Sequence, residues 1–189
     1  MEQVAVVTHS EAIYDKRGAI AQAISNLSGL EQILITSQSN RLQGSINSAD
    51  GCLKADEAQN LVNRYDVISL FGGCLNVCHY RTYESLVKAF KNSPKKKLTI
   101  KFSLDGIFGD YFPSIDVTFN LNEILEFNDD VDNREAREQA VLSLFEKYTN
   151  CPEGIGINSD IKYNGSLIYR NKQKSDKLLT IEIFDKAVK

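Results

Sequence analysis

The chain has no tryptophan, one methionine, two histidines and three prolines among 189 residues. It also lacks a strong charge of either sign, with a formal net charge of −3. That balance leaves no electrostatic footprint for nucleic acid or an anionic membrane, so neither is expected as a partner. No apolar run approaches the ~20 residues of a membrane-spanning helix. The first residues, "MEQVAVV", are acidic and enter a strand at once, which is unlike a signal peptide. Four cysteines (Cys52, Cys74, Cys78 and Cys151) are too few for a disulfide scaffold of this size. Reduced thiols in a cytoplasmic protein are the expectation. Hydrophobic residues make up 42% of the chain, enough for one sizeable core.

Strand-like and helix-like runs alternate. "QVAVVTH" and "LEQILIT" are short β-branched runs flanking a helical pattern that contains Ile13, Ile20, Ala23, Ile24 and Leu27. "SQSNRLQGSINSADG" is rich in Ser, Asn and Gly and reads as an exposed loop. "LKADEAQNLVNR" reads as a helix with Asp50 as a cap, and "YDVISLF" as a buried central strand. The helix "TYESLVKAFKNS" stops at Pro94, "KKLTIKFSL" is a fourth strand and "IDVTFN" a fifth. Lys95 to Lys97, the one basic cluster, read as a solvated turn. The pattern predicts an α/β fold, flavodoxin-like or Rossmann-like, with a mostly parallel sheet and helices on both faces.

From Asn128 the character changes. Arg137, Ala140, Val141, Leu144, Phe145 and Tyr148 form a stripe at the helical period. A hairpin through "NG" and the run "LLTIEIF" follow. The expected division is residues 1–130 as the α/β domain and 131–189 as a helix and β-hairpin extension packed on it. The extension's strands are expected to pair with an edge of the main sheet or with a second copy of the chain, because a lone hairpin is marginal in water.

In open parallel sheets, ligands bind at the carboxyl ends of the strands. Three loops should lie there: "THSEAIYDKRG", "SQSNRLQG" and "FGGCLNVCHY". Thr8, His9 and Ser10 in the first, and Gly72 and Gly73 in the third, can offer small or hydroxyl side chains and backbone N–H groups to phosphate. A turn requirement alone would also account for the two glycines. Glu84, early in the next helix, can stabilise an oxocarbenium ion or attack the anomeric carbon when an N-glycosidic bond breaks. An ion pair with Lys88 one turn on is the plain alternative. Cys74, Cys78 and His79 have a zinc-like spacing but no second clustered pair, so no metal is expected.

In order, these features resemble a TIR (Toll/interleukin-1 receptor) domain over roughly the first two-thirds of the chain. "VVTHSEAIYDKRGAIAQAI" is similar to the strand, loop and helix that open bacterial members. "RLQGSINSADGCLKADEA" is similar to their second loop through Gly44, and "YDVISLFGGCLNVCHYRTYESL" to the strand, loop and glutamate-bearing helix of the NAD-cleaving members. The resemblance implies a small nucleotide ligand, NAD or a relative, as substrate or bound signal, with Glu84 catalytic. The C-terminal helix and hairpin can supply a docking surface or a dimer contact, so a homo-oligomer is among the expectations. The chain departs from the pattern in having no tryptophan, in placing Cys78 six residues before Glu84, and in lacking an acidic residue at the end of the second strand. Those departures leave a non-catalytic nucleotide-signal-binding or protein-interaction module as the alternative. "FGG", "YESL" and "KKLTIKFSLDGIFGDYF" also resemble Lonely-Guy-type nucleotide phosphoribohydrolases, although a strand between Gly44 and Tyr65 is then missing. FMN-binding flavodoxin-like proteins share the layout without the phosphate loop.

Overall fold

The computed structural model describes residues 1–8, 30–36, 45–47, 52–73, 78–110, 118–120, 125, 134–149 and 156–186. Its strands are β1 (Gln3–Thr8), β2 (Glu31–Thr36), β3 (Ser45–Asn47), β4 (Val67–Gly72), β5 (Lys97–Asp110), β6 (Thr118–Asn120), β7 (Asn158–Tyr163), β8 (Ser166–Asn171) and β9 (Leu178–Phe184). The helices are α1 (Ala55–Arg64), α2 (Tyr80–Asn92) and α3 (Arg134–Thr149). The sheet runs β3-β2-β1-β4-β5-β9-β7-β8, and β6 pairs with the far end of β5. Neighbours on the main path are parallel except β7 and β8. This is an α/β fold of the Rossmann or flavodoxin kind.

Central position explains the sequence of β1 and β4. Val4 to Thr8 and all of β4 are buried, because parallel strands in mid-sheet are covered on both faces. Alternation sends Val4, Val6, Ile68, Leu70, Ile100 and Phe102 into one continuous core. The helices deliver their apolar stripes to the same core: Leu61 and Val62 from α1, Leu86 and Phe90 from α2, Val141 and Phe145 from α3. The Phe145 ring meets Phe102 edge-on with centroids 5.0 Å apart. Truncating a phenylalanine packed this way costs about 3–5 kcal/mol. Farther along the sheet, the other face becomes polar. Lys101, Glu182 and Lys162 stand abreast on β5, β9 and β7, with Glu182 3.8 Å from Lys101 and 3.7 Å from Lys162.

The C-terminal strands complete the sheet. β9 pairs in parallel with β5 from Lys97↔Leu178 to Ser103↔Phe184, and β7 pairs with the other side of β9. Between β7 and β8, Asn164 and Gly165 have φ of 44° and 82°, the left-handed backbone that a tight two-residue hairpin turn requires. Just before β9, Lys177 Nζ donates to the carbonyls of Phe90 (2.9 Å), Lys95 (3.0 Å) and Ser93. These carbonyls lie at and just past the end of α2, where a cation is favourable. At the opposite end of β9, Arg137 of α3 donates to Tyr163 Oη (2.8 Å) and Asp185 (3.0 Å), and Tyr163 Oη donates to Asp185 at 2.6 Å.

Three local expectations change. Ser45–Asn47, read as loop, is a strand on the outer edge of β2; three residues are too few for alternation to register. That strand lies between Gly44 and Tyr65, the interval that seemed to lack one. α1 starts later than its sequence pattern, with Lys54 at the cap in place of Asp50, and the Lys54 N–H donates to Glu57 Oε2 at 2.9 Å. Lys95 is not simply solvated: Nζ donates to the Tyr65 carbonyl (2.7 Å) and to Asp66 (3.0 Å).

Because β9 covers β5 and Lys177 closes the end of α2, the fold predicts a severe effect of removing everything after Asn150. The shortened chain should be insoluble, or lack a cooperative melt, by calorimetry and gel filtration. A soluble, monodisperse product with an unchanged melting temperature would contradict this packing.

Candidate functional site

Strand order reverses between β1 and β4. The chain moves outward from β1 through β2 to β3, then returns to place β4 on the other side of β1. Counting β3 gives the order 3-2-1-4-5. Omitting it gives the 2-1-3-4 beginning of the flavodoxin arrangement. Both put the crevice at the carboxyl ends of β1 and β4. Those ends are Thr8 and Gly72, which are register partners.

Gly72 has φ of 99°, and a Cβ there would stand 1.8 Å from the Thr8 carbonyl oxygen. Only glycine fits. Thr8 is wholly buried, and its Oγ1 donates to the Phe71 carbonyl at 3.1 Å, with the Gly73 carbonyl at 3.4 Å. The Thr8 hydroxyl therefore holds the start of the third loop. Thr8, Gly72 and Gly73 thus come together at the reversal. His9, Ser10 and Gly44, the remaining predicted ligand residues, lie outside the described residues.

Glu84 sits in the second turn of α2, with its side chain 41% exposed and 2.9 Å from Lys88 Nζ. This is the i,i+4 ion pair that its sequence position allowed. Among the described residues, no hydrogen bond or ion pair joins Glu84 to Thr8, Gly72 or Gly73. Cys52 and Cys78 are buried and form no disulfide. Cys74 and Cys151 lie outside the described residues, among which no group of three or more His, Cys, Asp or Glu side chains is arranged to hold a metal.

His79 leads into α2 with helical backbone (φ −64°, ψ −45°) and is wholly buried. Its ring centroid lies 5.4 Å from that of Phe102, and among the described residues neither ring nitrogen makes a well-formed hydrogen bond. Burial pushes its pKa down to about 3, opposed by a loose hydrogen bond to the Leu70 backbone. The imidazole is therefore neutral in the folded protein.

The edge also holds a feature that sequence reasoning missed. β4 and β5 pair regularly up to Leu70↔Phe102, and then the next partners are Gly72↔Ile107. Ser103, Leu104, Asp105 and Gly106 thus stand opposite Phe71 alone. Ser103 is buried and its Oγ donates to Asp105 Oδ1. The only sequence signal was "DG" directly after the alternating run "KKLTIKFSL".

No family model and no curated protein matches the chain. Among solved structures, a protein from Bacteroides thetaiotaomicron described as a "putative epimerase" is similar at 12% identity and a TM-score of 0.36. The match covers 87% of this chain and 72% of that one. A likeness at that level carries no argument about this chain.

The buried imidazole makes a pH prediction. In the unfolded chain His79 has the ordinary imidazole pKa of 6.5, and in the folded protein burial lowers it to about 3. The unfolded chain takes the proton first as pH falls, so the contribution is complete above pH 6.5 and is lost toward pH 3. The slope is at most about 1.4 kcal/mol per pH unit. Denaturant melts from pH 7 to 5 should show stability falling, and His79→Leu should flatten the dependence. An equally steep dependence in the variant would place its origin elsewhere. Lowered pKa values at Asp66, Asp160 and Asp185 add acid lability only in the carboxylate range, below this window.

Proposed function

We propose that this chain is a TIR-like nucleotide-binding protein whose ligand, NAD or a relative, sits at the carboxyl edge between β1 and β4. The observation that carries this reading is the Thr8–Gly72 pair at the reversal of strand order. Gly72 lets β4 end against the β1 backbone without a side chain in the way. A phosphate can approach main-chain N–H groups at such a place more closely than a side-chain-lined cleft would allow.

The catalytic form of the proposal assigns Glu84 to cleavage of the nicotinamide N-glycosidic bond. The C–N bond breaks with its electron pair leaving on nicotinamide. The carboxylate stabilises the positive charge developing on the ribose, and water adds to the anomeric carbon with release of a proton. The products are ADP-ribose and nicotinamide. Glu84 has to exchange its contact with Lys88 for the substrate. That ion pair favours a second reading, in which the protein binds a nucleotide signal and does not consume it.

Incubation with NAD, followed by measurement of nicotinamide release, separates the two. Hydrolysis predicts release that falls by about 100-fold or more in Glu84→Gln. Binding without turnover predicts thermal stabilisation by NAD or ADP-ribose with the nucleotide recovered intact. Release undiminished in the variant would remove Glu84 from the chemistry. A yellow complex with FMN would move the assignment to flavodoxin-like proteins. The absence of stabilisation by any nucleotide would contradict both readings.

A further inference from the structure

The break in the β4–β5 ladder sets Ser103 and Asp105 at the carboxyl edge of the sheet. Up to Leu70↔Phe102 the strands pair regularly, with the alternate residues Thr99 and Lys101 of β5 already polar. At the edge, directly beside Gly72, β5 then inserts a serine, a leucine, an aspartate and a glycine opposite Phe71. Extra residues in a strand re-aim side chains and interrupt pairing, and they concentrate beside functional sites.

Two polar groups at this break lack the partners that a merely structural role would give them. Asp105 is half-buried and, among the described residues, accepts a hydrogen bond only from Ser103, on Oδ1. Among the described residues no lysine, arginine or histidine forms an ion pair with it. The nearby edge carboxylate, Asp185, is by contrast held by Arg137, Tyr163 and Asn164. His79 is the second group. Its imidazole lies against Phe102 and the Leu70 backbone, the last regular pair before the break. It is completely buried, and among the described residues neither ring nitrogen makes a well-formed hydrogen bond, the Leu70 backbone alone giving one of them a loose one. Burying an unsatisfied polar atom costs about 1–3 kcal/mol, and native structures rarely leave one without cause.

We infer that the break in the β4–β5 ladder is the subsite for the ribose of the bound nucleotide, with Asp105 accepting hydrogen bonds from its vicinal hydroxyls. The inference rests on the nucleotide reading above and adds a residue to it. A carboxylate fixed through one oxygen keeps lone pairs for donors, and a vicinal diol supplies two donors at suitable spacing. Ser103 sets the orientation of the carboxylate and is itself held by pairing with Phe184 of β9. His79 is a positioning group from the helix side: the ring nitrogen not turned to the Leu70 backbone can bond a polar ligand or its water once one enters the break.

Calorimetric titration of ADP-ribose, ribose 5-phosphate and 2-deoxyribose 5-phosphate tests this in wild type, Asp105→Asn and Ser103→Ala. Asparagine keeps the shape and an acceptor for Ser103, so the melting temperature should stay within about 2 °C. ADP-ribose should bind Asp105→Asn about tenfold or more weakly than wild type, and Ser103→Ala should lie between them. Wild type should prefer ribose 5-phosphate over its 2-deoxy analogue, and Asp105→Asn should lose the preference. With only two histidines in the chain, the His79 imidazole signals are readily followed by NMR and should move on ADP-ribose addition. Equal ADP-ribose affinity in wild type and Asp105→Asn, or no preference for ribose in wild type, would overturn the subsite and leave nucleotide binding standing. Failure of wild type to bind ADP-ribose or NAD would overturn the nucleotide reading itself. Should Asp105→Asn melt much lower, Ser103→Ala carries the comparison, and undiminished affinity there overturns the subsite.

Discussion

The carbonyl of Thr8 leaves no room for a side chain at residue 72, and the edge of the sheet is organised around that contact. β1 and β4 are buried almost throughout, and their carboxyl ends must meet where the chain changes direction across the sheet. A Cβ at 1.8 Å from a backbone oxygen cannot be relieved by rotating a side chain, and the positive φ of Gly72 adds strain for any other residue. Glycine therefore lets β4 stay in register with β1 to its last residue and then turn away. The Thr8 hydroxyl fixes the turn by bonding the Phe71 carbonyl. A requirement of strand packing thus leaves backbone, and not side chains, at the point where ligands of this fold class are held.

The C-terminal third contributes to that edge although it is remote in sequence. β9 holds β5 in regular pairing as far as Ser103, the last residue before Leu104 and Asp105. Phe145 presses on Phe102 from the helix side. At the opposite end, Lys177 joins β9 to the end of α2 through three carbonyls, each charge-assisted bond worth about 1.5–3 kcal/mol when shielded from water. β5 is consequently clamped below its irregular stretch, so the break in pairing with β4 is confined to one place.

Much of the architecture was legible because the physics that sets it is local. β1, β4 and β9 declare themselves by apolar, β-branched runs, α2 ends where Pro94 forbids helical backbone at Ser93, and "NG" supplies the hairpin turn between β7 and β8. β3 was not legible: three residues with one isoleucine become a strand only because β2 offers an edge. At the site, Gly72 could be seen as special from "FGG", but its partner Thr8, 64 residues away in the chain, could not. Glu84 was found with both of its possible contacts named, and Lys88 is the one made. Asp105 and the sparse bonding of the buried His79 were hidden, since a break in register and a poorly filled hydrogen-bonding shell are properties of packing and leave almost no trace in sequence.

The central claim is that a nucleotide occupies the carboxyl edge between β1 and β4. The most direct test is an NMR titration of backbone amides with NAD or ADP-ribose. The account predicts the largest shifts at Thr8, Gly72, Gly73 and Asp105, with Asn158–Asn171 in the β7–β8 hairpin unmoved. Shifts centred on that hairpin, or on the polar row of Lys101, Glu182 and Lys162, with the β1–β4 edge silent, would contradict it.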